Sequence, residues 1–462
     1  MYETMHLRSN QNATRKRTGD RRRCLTSASR RKFTPEFWSS FVEQYWGQRP
    51  LVIKQPFAKP LTTSDEMFSA IKNASEQFRA GGPDCSFRFY TEEGFLLTGP
   101  KLQHYTPEIS DSSAADYVDR MTNKLNGRRF GLVISQFQVH EAWLWQRVRK
   151  FLRGLSAELE ALPWVEIVSF LGNYDKTPFG IHRDEVSVFL FVIEGRKRIY
   201  VWPRDYFSDS DDVRLESDFE QLRRDAVVLE AEAGDIIFWP ANFWHVGESV
   251  GGLSSSISIA IGPLHPAEIV WNSLLTKIKE RLEPSLATSK FPTTPAEVQR
   301  RLKLISKMSN LAVAELRKAS GDPKLAQSLR VLWLNLITGA GSDYVPPPLP
   351  WRVLRDDQVI KGCPERPILW ILDTDGEMLC SAQGHSFTIP ADPGVIRMFK
   401  RLNRGEAARV ADLIAEHTGK TMRAGVTFNA SPEGIRTVLS RLYSLRAIEE
   451  REAEVHAGIS KR

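Results

Sequence analysis

Apolar residues change their spacing several times along the chain. Phe37, Trp38, Phe41 and Tyr45 recur at helical intervals behind Thr34-Pro35-Glu36, which reads as an N-cap, a first-turn proline and a first-turn acid. Arg49–Lys54 reads as a strand entering the fold. Between 165 and 261 the runs become short and β-rich: Val165–Leu171, Val186–Ile193, Arg198–Trp202, Ile236–Trp239 and Ser256–Ile261. Gly, Pro and Asp turns separate them, which predicts an antiparallel barrel or sandwich. The acidic, polar stretch Asp205–Asp225 is expected outside it. After His265-Pro266 the spacing is helical again, in Leu274, Leu275, Ile278 and Leu282. Thr294-Pro295-Ala296-Glu297 is a capping-box pattern before Val298, Leu302 and Ile305. Asp322-Pro323 opens a third helix with Leu325, Leu329, Leu332 and Leu336, stopped by Gly339. These Leu-rich stripes suit a bundle core or a homodimer interface.

Pro346–Pro350 reads as a stiff linker. Beyond it, Pro367–Leu372 and Glu377–Ser381 flank an Asp-Thr-Asp-Gly turn, a strand follows at Phe387–Ile389, and three helical segments complete a winged-helix-like α+β pattern. The chain divides into an arm (1–32), a β-rich domain (33–265), a helical segment (266–342) and a C-terminal domain (343–455).

Charge changes the picture at one end only. The 462 residues carry a net charge of +7, yet the first 32 hold ten basic and two acidic side chains. The remaining 430 are therefore close to neutral, which removes most support for a nucleic-acid-binding face on the folded part. The arm has few large apolar residues and is expected to be disordered. The four cysteines are scattered, without a CxxC pair, and no stretch approaches 18 consecutive apolar residues. A reduced, cytoplasmic protein with no membrane segment is expected.

Candidate chemistry lies in Thr177-Pro178-Phe179-Gly180-Ile181-His182-Arg183-Asp184. On a strand, His182 and Asp184 face the same side. A histidine and a carboxylate inside an apolar barrel need compensation, which a divalent metal supplies. Gly234–Trp239 and the loop ending at His245 add a third donor. Two histidines and one carboxylate leave three positions open, as in non-haem Fe(II) oxygenases. On the Arg196–Trp202 strand, alternation groups Lys197 with Ile199 and Val201; facing inward, that lysine needs an anion. His104, His140 and His265 lack partners at ligand spacing and read as structural. His6, His385, His417 and His456 read as exposed or structural. There is no HExxH, GxSxG or Walker A sequence.

The HxD pair, the lysine fifteen positions beyond His182, and Gly234-Asp235…Trp239-Pro240…Trp244-His245 resemble the JmjC/cupin-type Fe(II)- and 2-oxoglutarate-dependent oxygenases, above all protein hydroxylases. The resemblance covers 165–262, and the order of segments is similar to ribosomal oxygenases, which pair through their helical segment. It implies a mainly β double-stranded β-helix (jelly-roll/cupin) barrel with flanking helices, then an α-helical segment and a winged-helix-like domain. His182, Asp184 and His245 would bind Fe(II), and Lys197 would pair with the distal carboxylate of 2-oxoglutarate. Thr177 resembles a family threonine that helps hold that carboxylate, although it lies five residues before His182 instead of three. Val188 and Ala260 stand where asparaginyl hydroxylases place asparagines, and Ser258 would substitute as a hydrogen-bonding group. Phe243-Trp244 would pack beside the iron. Such a protein would use O2 to hydroxylate a C–H bond of a protein or peptide side chain. The alternatives are an oxygenase acting on a free amino acid or small molecule, and a DNA- or peptide-binding protein with a non-catalytic metal barrel. Residues 367–449 also resemble small modules that grip leader peptides. Mixed charge on the last helix (Arg436, Arg441 and Arg446 against Glu433 and Glu449) favours peptide over nucleic acid.

Overall fold

The computed structural model describes residues 33–451, apart from 83–86, 93, 98–99, 161–162, 178, 208–218, 265–309, 311–312, 319, 373–375 and 424–425. The arm, the helices expected around Leu274–Leu282 and Val298–Ile305, and His6, His265 and His456 lie outside the described residues.

Thr34 accepts the Phe37 N–H at 3.3 Å and starts α1 (Pro35–Gln44) at its proline, as the pattern predicts. Then come β1 (Leu51–Ile53), α2 (Ser64–Arg79), β2 (Phe87–Thr91), β3 (Gly94–Leu97), α3 (Ala114–Lys124), β4 (Phe130–Ile134) and α4 (Ala142–Glu158). Eight further strands follow: β5 (Pro163–Gly172), β6 (His182–Arg183), β7 (Ser187–Glu194), β8 (Arg196–Trp202), β9 (Val227–Glu232), β10 (Ile236–Trp239), β11 (Trp244–Ser249) and β12 (Ser254–Pro263). The short helix α5 (Phe219–Leu222) lies between β8 and β9.

These strands make two antiparallel sheets. The larger has the order β1-β10-β7-β12-β5-β4-β2-β3 and the smaller β6-β11-β8-β9. The ladder of β12 on β5 runs from Ser254 opposite Gly172 to Pro263 opposite Pro163. Alternation explains why β7 is apolar from Val188 to Ile193. Val188, Leu190 and Val192 point between the sheets, with Ile199, Val201 and Trp239. Phe189 and Phe191 point the other way, against Trp38, Phe41 and Phe151 of the helical layer. A strand covered on both faces has no need of polar positions. Two facing sheets, with helices on the back of the larger, form the expected double-stranded β-helix. The described ends of the 205–225 insert lie on the outer face of the smaller sheet. There Phe219 packs on Tyr200, and Trp202 donates to the Leu222 carbonyl at 2.9 Å.

After Asp322, which caps it, α6 (Pro323–Thr338) leads into a second group of elements. These are β13 (Val359–Gly362), β14 (Leu369–Leu372), β15 (Glu377–Ala382), β16 (His385–Pro390), α7 (Pro393–Asn403), β17 (Ala407–Arg409), α8 (Val410–His417), β18 (Gly419–Arg423), β19 (Val426–Ala430), α9 (Pro432–Ser444) and β20 (Ile448–Arg451). They enclose a separate core around Ile360, Met378, Phe399, Leu413 and Leu439. The proline run is no free strut. Proline lacks an N–H but keeps its carbonyl as an acceptor, and side chains take two of these: His385 donates to Pro346 at 2.9 Å and Arg446 to Pro347 at 2.6 Å. The Leu349 N–H donates to the Ser444 carbonyl at 2.7 Å. No helix among the described residues is long and apolar enough to cross a membrane.

Gly154 on α4 lets Trp38 lie flat against the helix; a Cβ there would come within 2.1 Å of the indole. Gly154→Ala is expected to lower stability by about 1–3 kcal/mol, because overpacking outweighs the gain in helix propensity. Urea unfolding monitored by circular dichroism should show a lower midpoint at unchanged slope. His140 is structural, paired through Nδ1 with Gln77 at 2.8 Å, and burial pulls its pKa down to about 4. The unfolded chain takes up this proton first, near pH 6.5. The stabilisation is therefore complete above about pH 6.5 and is lost as pH falls toward about 4, roughly 3 kcal/mol at most. His140→Gln should flatten this acid-side decline in denaturant-measured stability.

Candidate metal centre

Although β6 is only two residues long, its partner β11 decides what it presents. In their ladder His182 lies opposite His245 and Arg183 opposite Trp244. Alternation sends both imidazoles inward, with ring centroids 4.3 Å apart. Asp184 follows on the same side, its Oδ2 3.7 Å from His182 Nε2 and 3.6 Å from His245 Nε2. Its carbonyl accepts the Asn242 N–H at 2.7 Å, tying it to the turn that enters β11. Asn242 makes that turn in the left-handed region, at φ 64°.

Each imidazole is oriented by its own chain. His182 Nδ1 lies 3.0 Å from the Gly180 carbonyl, and His245 Nδ1 lies 3.1 Å from the Phe243 carbonyl. A carbonyl only accepts, so Nδ1 carries a proton in both, and Nε2 is the ring nitrogen turned toward Asp184. One donor atom from each of the three side chains falls within 4.8 Å of the others. Burial, reinforced by His182, pushes the His245 pKa down to about 3, which keeps its imidazole neutral. Two imidazoles and a carboxylate on one side of a cavity suit a divalent first-row metal with open positions.

The cavity measures about 270 Å³ and takes in all six residues singled out in the sequence: His182, Asp184, His245, Lys197, Thr177 and Ser258. Lys197 faces inward with Ile199, as alternation predicts, and is buried. Its ammonium is held by the Tyr174 hydroxyl and by Ser249 Oγ at 3.0 Å, both neutral groups. Thr177 is anchored by its N–H on the Gly247 carbonyl at 3.0 Å. Val188 and Ala260 also line the cavity, so no amide side chain stands at those positions.

Two aromatic assignments change. Phe243 and Trp244 do not line the cavity. Trp244 neighbours His245 along β11 and so faces the opposite side, edge-on to Phe207 and under the Arg183 guanidinium. Phe243 packs into the apolar layer between the sheets. The ring beside His245 is Trp239, 4.9 Å away. Sequence reasoning also missed Tyr174 and Arg88. Tyr174 could have been found by carrying the alternation of Val168 and Phe170 past the end of β5. Nothing local marks Arg88, which reaches the cavity wall from β2 and lies over Phe179.

Residues 146–268, which include every one of the three donors, match the family model described as the JmjC domain. The match spans 123 of the 462 residues. Several solved structures align with it at low identity. YcfD, a ribosomal oxygenase from Escherichia coli in complex with cobalt and succinic acid, aligns over 90% of this chain and 98% of its own, at 14% identity and TM-score 0.45. The same protein with cobalt and 2-oxoglutarate aligns over the same shares at 14% identity and TM-score 0.43. No curated protein matches the chain.

In the matched segment, β6, the turn after it and β11 supply the candidate donors, and β8 supplies the cation. Cobalt(II) is expected to bind one equivalent and to give visible d–d absorption. His182→Ala and His245→Ala should each weaken binding by about 100-fold or more, since each removes a ligand from a set of three. Unchanged cobalt titrations in both variants would show that the metal binds elsewhere.

Proposed function

We propose that this protein is an Fe(II)- and 2-oxoglutarate-dependent oxygenase that hydroxylates a C–H bond of a protein or peptide side chain. One observation carries the reading: the His-Asp-His donor set and a buried lysine, whose hydrogen-bond partners among the described residues are neutral, line one cavity. When bound, Fe(II) and 2-oxoglutarate supply O2 activation coupled to decarboxylation of the co-substrate to succinate. His182, Asp184 and His245 hold the metal, and the Nδ1 bonds to Gly180 and Phe243 keep both imidazoles aimed at it.

Lys197 neutralises the distal carboxylate of 2-oxoglutarate, with Tyr174 and Ser249 fixing its ammonium. Thr177 and Ser258 add hydroxyls along the same wall. Val188, Leu190, Ile199 and Trp239 keep the space between these groups apolar, which strengthens each polar contact inside it. A cavity of this volume, once it holds a co-substrate, leaves room for one side chain of a larger molecule. The winged-helix-like C-terminal domain, together with the helical segment before it, then serves to dock the protein or peptide.

Anaerobic addition of Fe(II) and 2-oxoglutarate should produce a visible metal-to-ligand charge-transfer band, and air should then yield succinate. Absence of both defeats the proposal. Lys197→Met should raise the KM for 2-oxoglutarate about 10- to 100-fold, the loss expected for one charge-assisted contact, while cobalt binding is retained.

A further inference from the structure

A second, larger cavity lies away from the metal centre. It occupies about 540 Å³, twice the volume of the cavity around His182. One wall is α4, which packs on the back of the larger sheet, opposite the face that lines the metal cavity. The end of α6 at Ile337 and Thr338, and the 363–369 segment of the C-terminal unit, form the rest.

Its lining is strongly one-signed, with Arg147, Arg149, Lys150, Arg153 and Arg366 against the single carboxylate of Glu365. Some of this charge is already answered. Arg147 is clamped on Glu66, Arg153 on Glu365, and one arm of Arg366 on Glu449. The remainder is not. Arg149 donates only to neutral acceptors, the Gln383 side chain and the Thr338 carbonyl at 3.1 Å. Arg366 is 14% exposed, and its Nη1 is buried without a hydrogen-bond partner. Lys150 stands exposed at the rim. Burial, with repulsion from Arg366, lowers the Arg149 pKa to about 10. Leaving a buried charged donor unmet is unfavourable, and guanidinium forks match the paired oxygens of phosphates and carboxylates. Trp143, Leu152 and Leu369 supply apolar walls beside this charge, as in sites for small molecules.

We propose that this cavity binds a small polyanion, with at least two phosphate or carboxylate charges, that ties the C-terminal unit to the back of the larger sheet. Arg149 and Arg366 contact the anion directly, and Lys150 closes the rim. The ligand touches both units, so its binding favours their docked arrangement by mass action.

The test uses the full chain at low salt with pyrophosphate and with citrate as probes, read by calorimetry and by thermal unfolding. At least one probe should bind saturably and raise the melting temperature, and the stronger of the two tells phosphate from carboxylate chemistry. Arg366→Met and Arg149→Met should each weaken binding about 10-fold. Lys150→Ala, at an exposed position that cannot threaten folding, should weaken it about 3-fold. Cobalt binding at the His182 centre should not change in any of these variants. The proposal is overturned if neither anion binds, if affinity survives the Arg149 and Arg366 substitutions, or if sodium chloride at equal ionic strength gives the same stabilisation.

Discussion

Two backbone pairs hold His182 opposite His245, and the geometry of the metal centre depends on that register. A slip of one residue would turn His245 outward and bring Trp244 into its place. A two-residue strand cannot enforce its register through ladder hydrogen bonds alone. The constraint comes from both sides of it. Ile181 before it is buried in the outer cluster with Trp244 and Val246, and the Asp184 carbonyl after it is bonded to Asn242. Arg183 covers the Trp244 ring, so a slip would also strip an aromatic face. The outer apolar cluster of the smaller sheet thus secures the inner polar one.

That dependence explains which features were legible in the sequence. Period-two alternation is a property of any strand, so the inward direction of His182, Asp184 and Lys197 could be read without knowing the fold. The same rule, applied to β11, places Trp244 opposite to His245; grouping it with Phe243 as a shield overlooked the alternation that had worked for Lys197. Alternation says nothing about which strands meet. The partners of Lys197 come from the segment after β5 and from the far end of β11, 23 and 52 residues away. Arg88 arrives from a strand whose surroundings carry no motif. The Thr63-Ser64-Asp65-Glu66 start of α2 is a capping box that does form, with bonds in both directions, and was there to be read. The proline run after Tyr344 resembles a linker by composition, but composition cannot show that its carbonyls are taken up by side chains from β16 and from just beyond α9.

Charge follows the same division between what composition shows and what packing decides. The surplus of the whole chain belongs to its first 32 residues, and the folded part is nearly neutral. Neutrality on average still permits concentration, because ion pairing is local. Glu66, Glu365 and Glu449 each neutralise one arginine at the junction between α4 and the C-terminal unit, and no fourth carboxylate faces Arg149 among the described residues. The metal centre shows the complementary pattern, since its acidic group is shared between two imidazoles and its cation stands apart with hydroxyls. Among the described residues, both places hold a cation whose hydrogen-bond partners are neutral. A fold selected for stability alone would favour apolar groups there, because an unmatched buried ion is costly and a packed hydrocarbon is not. The two cavities are therefore the places where this chain departs from the rule that shapes β7. There, every side chain is satisfied by its neighbours; at Lys197 and at Arg149, satisfaction requires something the chain does not itself contain.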